Sequence, residues 1–315
     1  MGKEMRGTFI QGNARDVLRE TITPESVDVC ITSPPYWTLR DYGEMDYVWG
    51  GDESCDHKFV DSDSEIDYGK TCEKCGAWCG QLGLEPTMEK YMNNIKSIID
   101  GIKIALKPTG SLFWVINDLY GGSLLGAGSK DPAKTAPDKM KYNPVFTRSK
   151  GAPRKYIYPK SLLLLMDRIA LTMIGEGWVL RNRIIWVKGN CRPESTRDRF
   201  HNNYEMIWFF TKNKKYYFNQ QKGRTGSPMK SVWHINNDHS PYNHYAQFPK
   251  KIVERCISSA CPDDGVVLDP FLGTGTTALV AAQMRRSFIG VDASEENIKT
   301  AKKRVGCLTN QGNLF

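Results

Sequence analysis

The spacing of apolar and polar positions changes along the chain, and each change marks an element. Gly7–Gln11 has strand composition, Ala14–Glu20 a short helical pattern, and Val27–Thr32 is an apolar run of buried-strand length, so the chain opens β-α-β. Residues 43 to 86 are rich in Gly, Asp and Cys without periodicity, which marks an insertion. Tyr91, Ile95, Ile98 and Ile102 then recur at helical spacing, and Lys107-Pro108-Thr109-Gly110 stops that helix before a strand over 111 to 116. Residues 120 to 155, polar, basic and rich in Gly and Pro, predict a loop. A helix over 161 to 174, strands over 179 to 187 and 205 to 211, and a weakly patterned basic stretch over 212 to 245 follow. The end of the chain is the most regular: helix 249 to 261, strand 265 to 269, a glycine turn, helix 276 to 285, strand 288 to 292 and helix 294 to 305. Strands alternating with helices predict an α/β fold, with a mainly parallel central sheet and helices on both faces.

The patterning divides the chain into an N-terminal part (1–42), the Cys-rich insertion (43–86), a middle part (87–211) with the basic loop, a small basic region (212–245) and a regular C-terminal part (246–315).

Composition narrows the class. At 315 residues and 40% hydrophobic content the chain can fill a large core. No apolar stretch reaches membrane-span length and the N-terminus lacks a signal-peptide core, so a cytoplasmic protein without a membrane partner is expected. Lys and Arg exceed Asp and Glu by 43 to 35, unevenly. Residues 130 to 160 hold nine basic residues against two acidic, and 181 to 230 hold twelve against three, with Trp186, Trp208, Tyr216 and Tyr217 interleaved. Such stretches suit a polyanion, and nucleic acid is the natural partner.

Two strand ends carry candidate chemistry. Val266-Val267-Leu268-Asp269 runs into Pro270-Phe271-Leu272-Gly273-Thr274-Gly275-Thr276-Thr277, a buried strand, a tight Gly-x-Gly turn and a helix start. Asp292 closes the next strand, where an acid can take the ribose hydroxyls of an adenosine. Ala278 replaces the third glycine of the dinucleotide fingerprint, and Asp269 stands where a pyrophosphate would sit. A carboxylate there repels phosphate but suits an amino group or a sulfonium, so S-adenosylmethionine fits better than NAD. At the other strand end, Thr32-Ser33-Pro34-Pro35-Tyr36-Trp37 is a rigid, donor-poor turn carrying a hydroxyl and two large aromatics. The Ser33 hydroxyl and Pro34 carbonyl can accept the two hydrogens of an exocyclic amine and turn its lone pair toward a methyl donor. Tyr36 can stack on a base turned out of the duplex.

With these residues the chain resembles the amino-group DNA methyltransferases of permuted, β-type motif order. TSPPYW matches the family's catalytic motif, DPFLGTGTT its adenosylmethionine loop and FIGVD its ribose acid. LKPTGSLFW, YEMIWFFTK and HYAQFPKKIVERCI match connecting segments. The resemblance implies a Rossmann-like methyltransferase fold, with Ser33, Pro34, Pro35 and Tyr36 as the catalytic set. It places Thr32, Asp269, Pro270, Phe271, Gly273, Gly275, Thr276 and Asp292 at the cofactor, with Gly12, Asn13 and Asp16 at its adenine end and Phe248 and Pro249 at its methionine side. Ser at the first motif position favours cytosine N4 over adenine N6. The resemblance makes 1–42 and 87–211 parts of a catalytic domain, 212–245 a target-recognition region and 246–315 the cofactor-binding part. Double-stranded DNA is the implied substrate, and a cognate restriction endonuclease a candidate partner. A catalytically dead, zinc-containing DNA-binding protein is the reading from another class, and an RNA or protein methyltransferase is a third.

Four of the nine cysteines lie between Cys55 and Cys79. Cys55-x-His57 and Cys72-x-x-Cys75-Gly76 have the spacing of a structural zinc site, with Cys79 as an alternative to His57. His201, His234, His239 and His244 lie singly and read as surface or DNA-facing groups. Arg197, Arg199, Arg224 and Lys230 are the candidate DNA contacts within the basic stretches.

Overall fold

The computed structural model describes residues 5–38, 41–43, 46–61, 69–121, 160–191, 194, 196–223, 226–238 and 247–309. Arg224, His239, His244 and most of the basic loop lie outside them. The elements run β1 (Gly7–Gln11), α1 (Ala14–Glu20), β2 (Val27–Thr32), β3 (Tyr47–Trp49), β4 (Phe59–Asp61), β5 (Lys70–Cys72) and β6 (Trp78–Gly80). There follow α2 (Met88–Ala105), β7 (Leu106–Ile116), α3 (Leu165–Gly175), β8 (Val179–Val187), β9 (Tyr204–Thr211) and β10 (Val232–His234). The chain continues with α4 (Lys250–Ala260), β11 (Val266–Asp269), α5 (Thr276–Gln283), β12 (Ser287–Asp292) and α6 (Glu295–Thr309). The chain forms two compact units, Met1–Pro34 with Ile98–Ile116 and Ala170–Phe315, and Pro35–Ser97 with Asn117–Ile169.

The first unit holds an eight-stranded sheet in the order β1-β12-β11-β2-β7-β9-β8-β10. Pairing is parallel from β1 through to β7 and again between β8 and β10, while β9 runs antiparallel to β7 and β8. Helices cover both faces, as the alternating pattern requires. Strand β2 is buried at every position, which is why its apolar run does not alternate. Phe113 of β7 stacks on Phe209 of β9 with centroids 4.6 Å apart. Helix α4 contributes a stripe of Ile252, Val253, Cys256, Ile257 and Ala260, all buried, and its isoleucine and valine side chains each stabilise the fold by about 1.5–3 kcal/mol.

The expected break before β7 takes a different form. Strand β7 follows α2 directly, and residues 107 to 110 form an irregularity inside it, since Leu106 faces Val27 while Ser111 already faces Val29. Strand β10 lies in the stretch that showed little pattern; it has only three residues, too few for periodicity to register.

The second unit contains a four-stranded antiparallel sheet, β3-β6-β5-β4, within the Cys-rich insertion. Each strand is three residues long. Trp49 and Trp78 supply most of its small core, and the Trp49 indole donates to the Gly80 carbonyl at 2.9 Å.

Candidate active site and metal centre

Strands β2 and β11 lie side by side, with Leu268 facing Cys30, so their last residues, Thr32 and Asp269, are neighbours. From β2 the sheet continues to β7 and from β11 to β12, in opposite directions. At such a reversal, open α/β sheets bind ligands outside the carboxyl ends of their strands.

Asp269 is almost wholly buried and fully engaged. Oδ1 accepts the Thr32 hydroxyl at 2.6 Å and the Phe271 amide at 3.1 Å, while Oδ2 accepts the Thr277 hydroxyl at 2.6 Å. Burial pushes its pKa up to about 6, with nearby Asp292 adding to the rise and the three hydrogen bonds opposing it. Such a carboxylate gains from a cation placed beside it.

Asp292 ends β12 opposite Gln11 of β1, and the Gly12 amide donates to its carbonyl at 3.0 Å. Its carboxylate accepts the Gly273 amide at 2.7 Å, the Ser294 amide at 2.9 Å and the Asn297 side-chain amide at 3.0 Å. Burial raises its pKa as well. The buried Asn13 caps α1 by accepting the Arg15 amide at 2.9 Å, and its Nδ2 has no hydrogen-bond partner among the described residues. A donor left this way near the strand end that carries Asp292 asks for a ligand acceptor.

The glycine turn fits its expected use. Gly275 has φ +87°, and a Cβ there would lie 2.6 Å from Cβ of Ala301 on α6. Thr274 is held by Arg304, whose Nη1 donates to its carbonyl at 2.7 Å and its hydroxyl at 2.8 Å, and by Gln247. Phe271 meets Trp114 edge to face at 6.5 Å. Pro270 and Thr276, at either end of the turn, are buried.

Sequence-predicted residues divide accordingly. Thr32, Asp269, Phe271, Gly273, Asp292, Gly12 and Asn13 come together at the strand ends. Asp16 instead pairs with Arg15 at 2.7 Å. Phe248 packs in the hydrophobic core and Pro249 stands at the start of α4. Ser33 is half-buried and Pro34 buried at the end of β2. Thr277, Ser294, Asn297 and Arg304, to which the sequence assigned no role, also help to hold the two acids and the turn.

Pro35 and Tyr36 belong to the second unit. There the Pro35 carbonyl accepts the hydroxyl of the buried Tyr91 at 2.9 Å, and Trp37 stacks on Tyr91. The Trp37 indole donates to the Glu85 carbonyl at 2.9 Å, and Thr38 N donates to the Gly83 carbonyl at 2.6 Å.

The insertion gathers Cys55, His57, Cys72 and Cys75, with all four ligand atoms within 4.8 Å of one another. Cys55 Sγ lies 3.9 Å from Cys72 Sγ, and Cys75 Sγ 3.3 Å from His57 Nδ1. Ligands of a tetrahedral zinc at the usual bond lengths sit about 3.5–3.8 Å apart, so the donor types and the two closest pairs suit such an ion, and the wider pairs would have to draw in around it. Gly76, at φ +74°, makes the turn that returns its amide to the Cys72 carbonyl at 2.9 Å. Burial opposes ionisation of the Cys72 thiol, but hydrogen bonds from Cys75 N, His57 and neighbouring amides outweigh it and bring its pKa to about 6. Cys79 is not in the cluster; it lies on β6, paired with Val48 and Lys70.

Among the expected DNA contacts, Arg197 and Lys230 are exposed. Arg199 has a structural task, pairing with Glu194 at 2.7 Å and donating to the Phe200 carbonyl at 3.0 Å.

Comparison with known proteins agrees with this geometry. A family model described as DNA methylase (N6_N4_Mtase) matches residues 27–303. Type II methyltransferase M.SmaI of Serratia marcescens is 31% identical over 305 residues, covering 94% of this chain and 90% of its own. M.Cfr9I of Citrobacter freundii is 30% identical over 309 residues, covering 96% and 89%. Among solved structures, the cytosine-N4-specific PvuII DNA methyltransferase superposes with a TM-score of 0.63 at 19% identity, covering 96% of this chain and 87% of that one. A DNA modification methylase of Thermus thermophilus, complexed with S-adenosyl-L-methionine, gives a TM-score of 0.56 at 23% identity, covering 96% and 95%. The fold is that of a methyltransferase, and the chain belongs to the N6/N4 family of DNA methylases. Among the described residues no helix is long and apolar enough to cross a membrane.

Proposed function

We propose that this enzyme transfers a methyl group from S-adenosylmethionine to the N4 amine of cytosine in double-stranded DNA. The observation that carries the reading is the juxtaposition of Thr32 and Asp269, which joins the proline turn to the glycine turn at the sheet's reversal point. Asp292, the Gly12 amide and Asn13 suit the nucleoside of the cofactor, and Asp269 its cationic end. When bound, the cofactor supplies an electrophilic methyl group on a sulfonium. The chain's own residues do the rest by position. Ser33 Oγ and the Pro34 carbonyl accept the two amine hydrogens, which favours a tetrahedral nitrogen with a free lone pair. Tyr36 holds the extruded base by stacking. Cytosine N4 is favoured over adenine N6 by Ser33 and by the cytosine-N4 specificity of the PvuII enzyme.

The intact Ser33, Pro34, Tyr36, Asp269 and Asp292 speak against a binding protein without activity. The test is transfer of labelled methyl groups to unmodified duplex DNA, in competition with RNA and protein. Label on duplex DNA is expected, and label on RNA or protein alone would overturn the reading.

The Cys55-His57-Cys72-Cys75 cluster is read as a structural zinc site. Its donor set and spacing carry that assignment. The relatives are named type II methyltransferases, which supports a role protecting DNA against an endonuclease with the same target. Arg197 and Lys230 are read as phosphate contacts, with Arg224 from the same basic stretches.

A further inference from the structure

Glu85 is a fully buried carboxylate, in a unit where the other described acids lie on the surface or face solvent in part. Burying a charge is costly unless hydrogen bonds compensate, so its surroundings show what it is kept for. Oε2 accepts the Gly83 amide at 2.9 Å and Oε1 accepts the Asn94 side-chain amide at 2.9 Å. Its own carbonyl accepts the Trp37 indole at 2.9 Å. Each of these bonds bears on the chain that leaves the proline turn. The Gly83 amide, held by Oε2, fixes the loop whose carbonyl at Gly83 takes Thr38 N at 2.6 Å. Gly83 has φ +94°, and a Cβ there would meet the Tyr36 carbonyl at 3.1 Å and Pro35 Cβ at 3.2 Å, so the loop lies directly against the catalytic motif. Asn94, held by Oε1, lies one helical turn beyond Tyr91 on α2, and the Tyr91 hydroxyl grips the Pro35 carbonyl at 2.9 Å.

We propose that Glu85 is a positioning residue for methyl transfer, a buried carboxylate clamp that sets Pro35 and Tyr36 through Gly83 and Asn94. The inference rests on the amine-transfer reading given above and adds to it a residue that touches neither substrate nor cofactor. The link to chemistry is covalent. The Pro34 carbonyl shares a peptide plane with Pro35 N and Cα, so a shift of Pro35 turns the oxygen that receives the amine hydrogen. Tyr36, the base-stacking residue, follows in the same loop. Since the clamp acts on geometry, its loss lowers the rate of the bound complex more than it weakens binding of either ligand.

Three variants test this, measured against the wild-type enzyme in the same DNA assay, whose turnover independently tests the underlying reading. Glu85→Leu, near in size and without acceptors, should lower kcat by about 10- to 100-fold, the scale of a misplacement of about 1 Å. Its Kd for S-adenosylmethionine and its KM for DNA should stay within about threefold. Glu85→Gln should restore most of the rate, because rotation of the Asn94 amide lets it accept from the glutamine Nε2 while Oε1 still takes the Gly83 amide. Gly83→Ala leaves Glu85 intact but presses on Pro35 and Tyr36, and should reproduce the kcat loss; it decides the matter if Glu85→Leu does not fold. A folded Glu85→Leu enzyme with wild-type kcat would overturn the proposal. So would a loss expressed wholly in KM, or a Gly83→Ala enzyme of normal rate. Wild-type inactivity on DNA would instead strike the underlying reading.

Discussion

The Thr32 hydroxyl donates to Asp269 Oδ1 at 2.6 Å, across 237 positions of sequence. One partner closes the strand that leads into the proline turn and the other opens the glycine turn, so a single short bond sets the two halves of the site in register. Thr277, from the first turn of α5, holds the other carboxylate oxygen at 2.6 Å. Asp269 is therefore a hub that three donors fix in orientation before any ligand arrives.

Removing the charge while keeping the shape separates the two roles of Asp269. In Asp269→Asn the Thr32 and Thr277 hydroxyls can reorient to match an amide, so the fold should persist. The interaction with a cationic ligand should weaken by about 1.5–3 kcal/mol, the range for hydrogen bonds to charged groups. Calorimetric titration should show S-adenosylmethionine binding about 10- to 150-fold weaker, with unchanged thermal unfolding. Unaltered affinity would remove Asp269 from the cofactor site.

The raised pKa of Asp269 gives cofactor binding a pH signature. In the free protein the native state holds this proton more tightly than the unfolded chain, so the group's contribution to stability falls as pH rises from about 4 to about 6. A cation beside it favours the carboxylate and opposes that shift. Affinity for S-adenosylmethionine should therefore drop as pH is lowered through about 6. 5′-Methylthioadenosine, which lacks both the amino group and the sulfonium, should show a flatter profile. Equal pH dependence of the two ligands would place the proton uptake elsewhere.

Purified protein should carry about one equivalent of zinc. Cys72→Ser removes one of four clustered donors and should lower that content below about half an equivalent. Chelation should cost stability, because four strands of three residues cannot hold a sheet by burial alone. Zinc content below about half an equivalent in the wild type, unaffected by Cys72→Ser, would reject the site.

Much of this was legible in the sequence, and the gaps have physical causes. The strands and helices from residue 246 onward follow from periodicity, because each element is long enough to repeat and buries one clear face. Asp269 and Asp292 could be read because each stands at the end of an apolar run. The four strands of the insertion could not, since a three-residue strand shows hardly one period and its order comes from Trp49, Trp78 and the cysteine cluster. Glu85 was hidden for a related reason. A lone acid before Pro86 and a helix start looks like a solvent-facing helix flank, and only the tertiary contacts with Gly83 and Asn94 show that it is buried. The local ion pairs of Asp16 with Arg15 and of Arg199 with Glu194 were likewise not legible, because residue type alone does not say which neighbour a charge meets.

The most direct test of the central claim is the identity of the methylated base. Duplex DNA containing all four bases would be incubated with the protein and labelled S-adenosylmethionine, digested to nucleosides and resolved by mass spectrometry. The expected product is N4-methylcytosine, at one sequence context and absent with Pro34→Ala or Asp269→Ala protein. N6-methyladenine as the sole product would contradict the cytosine assignment, and an unmodified duplex would contradict the enzyme.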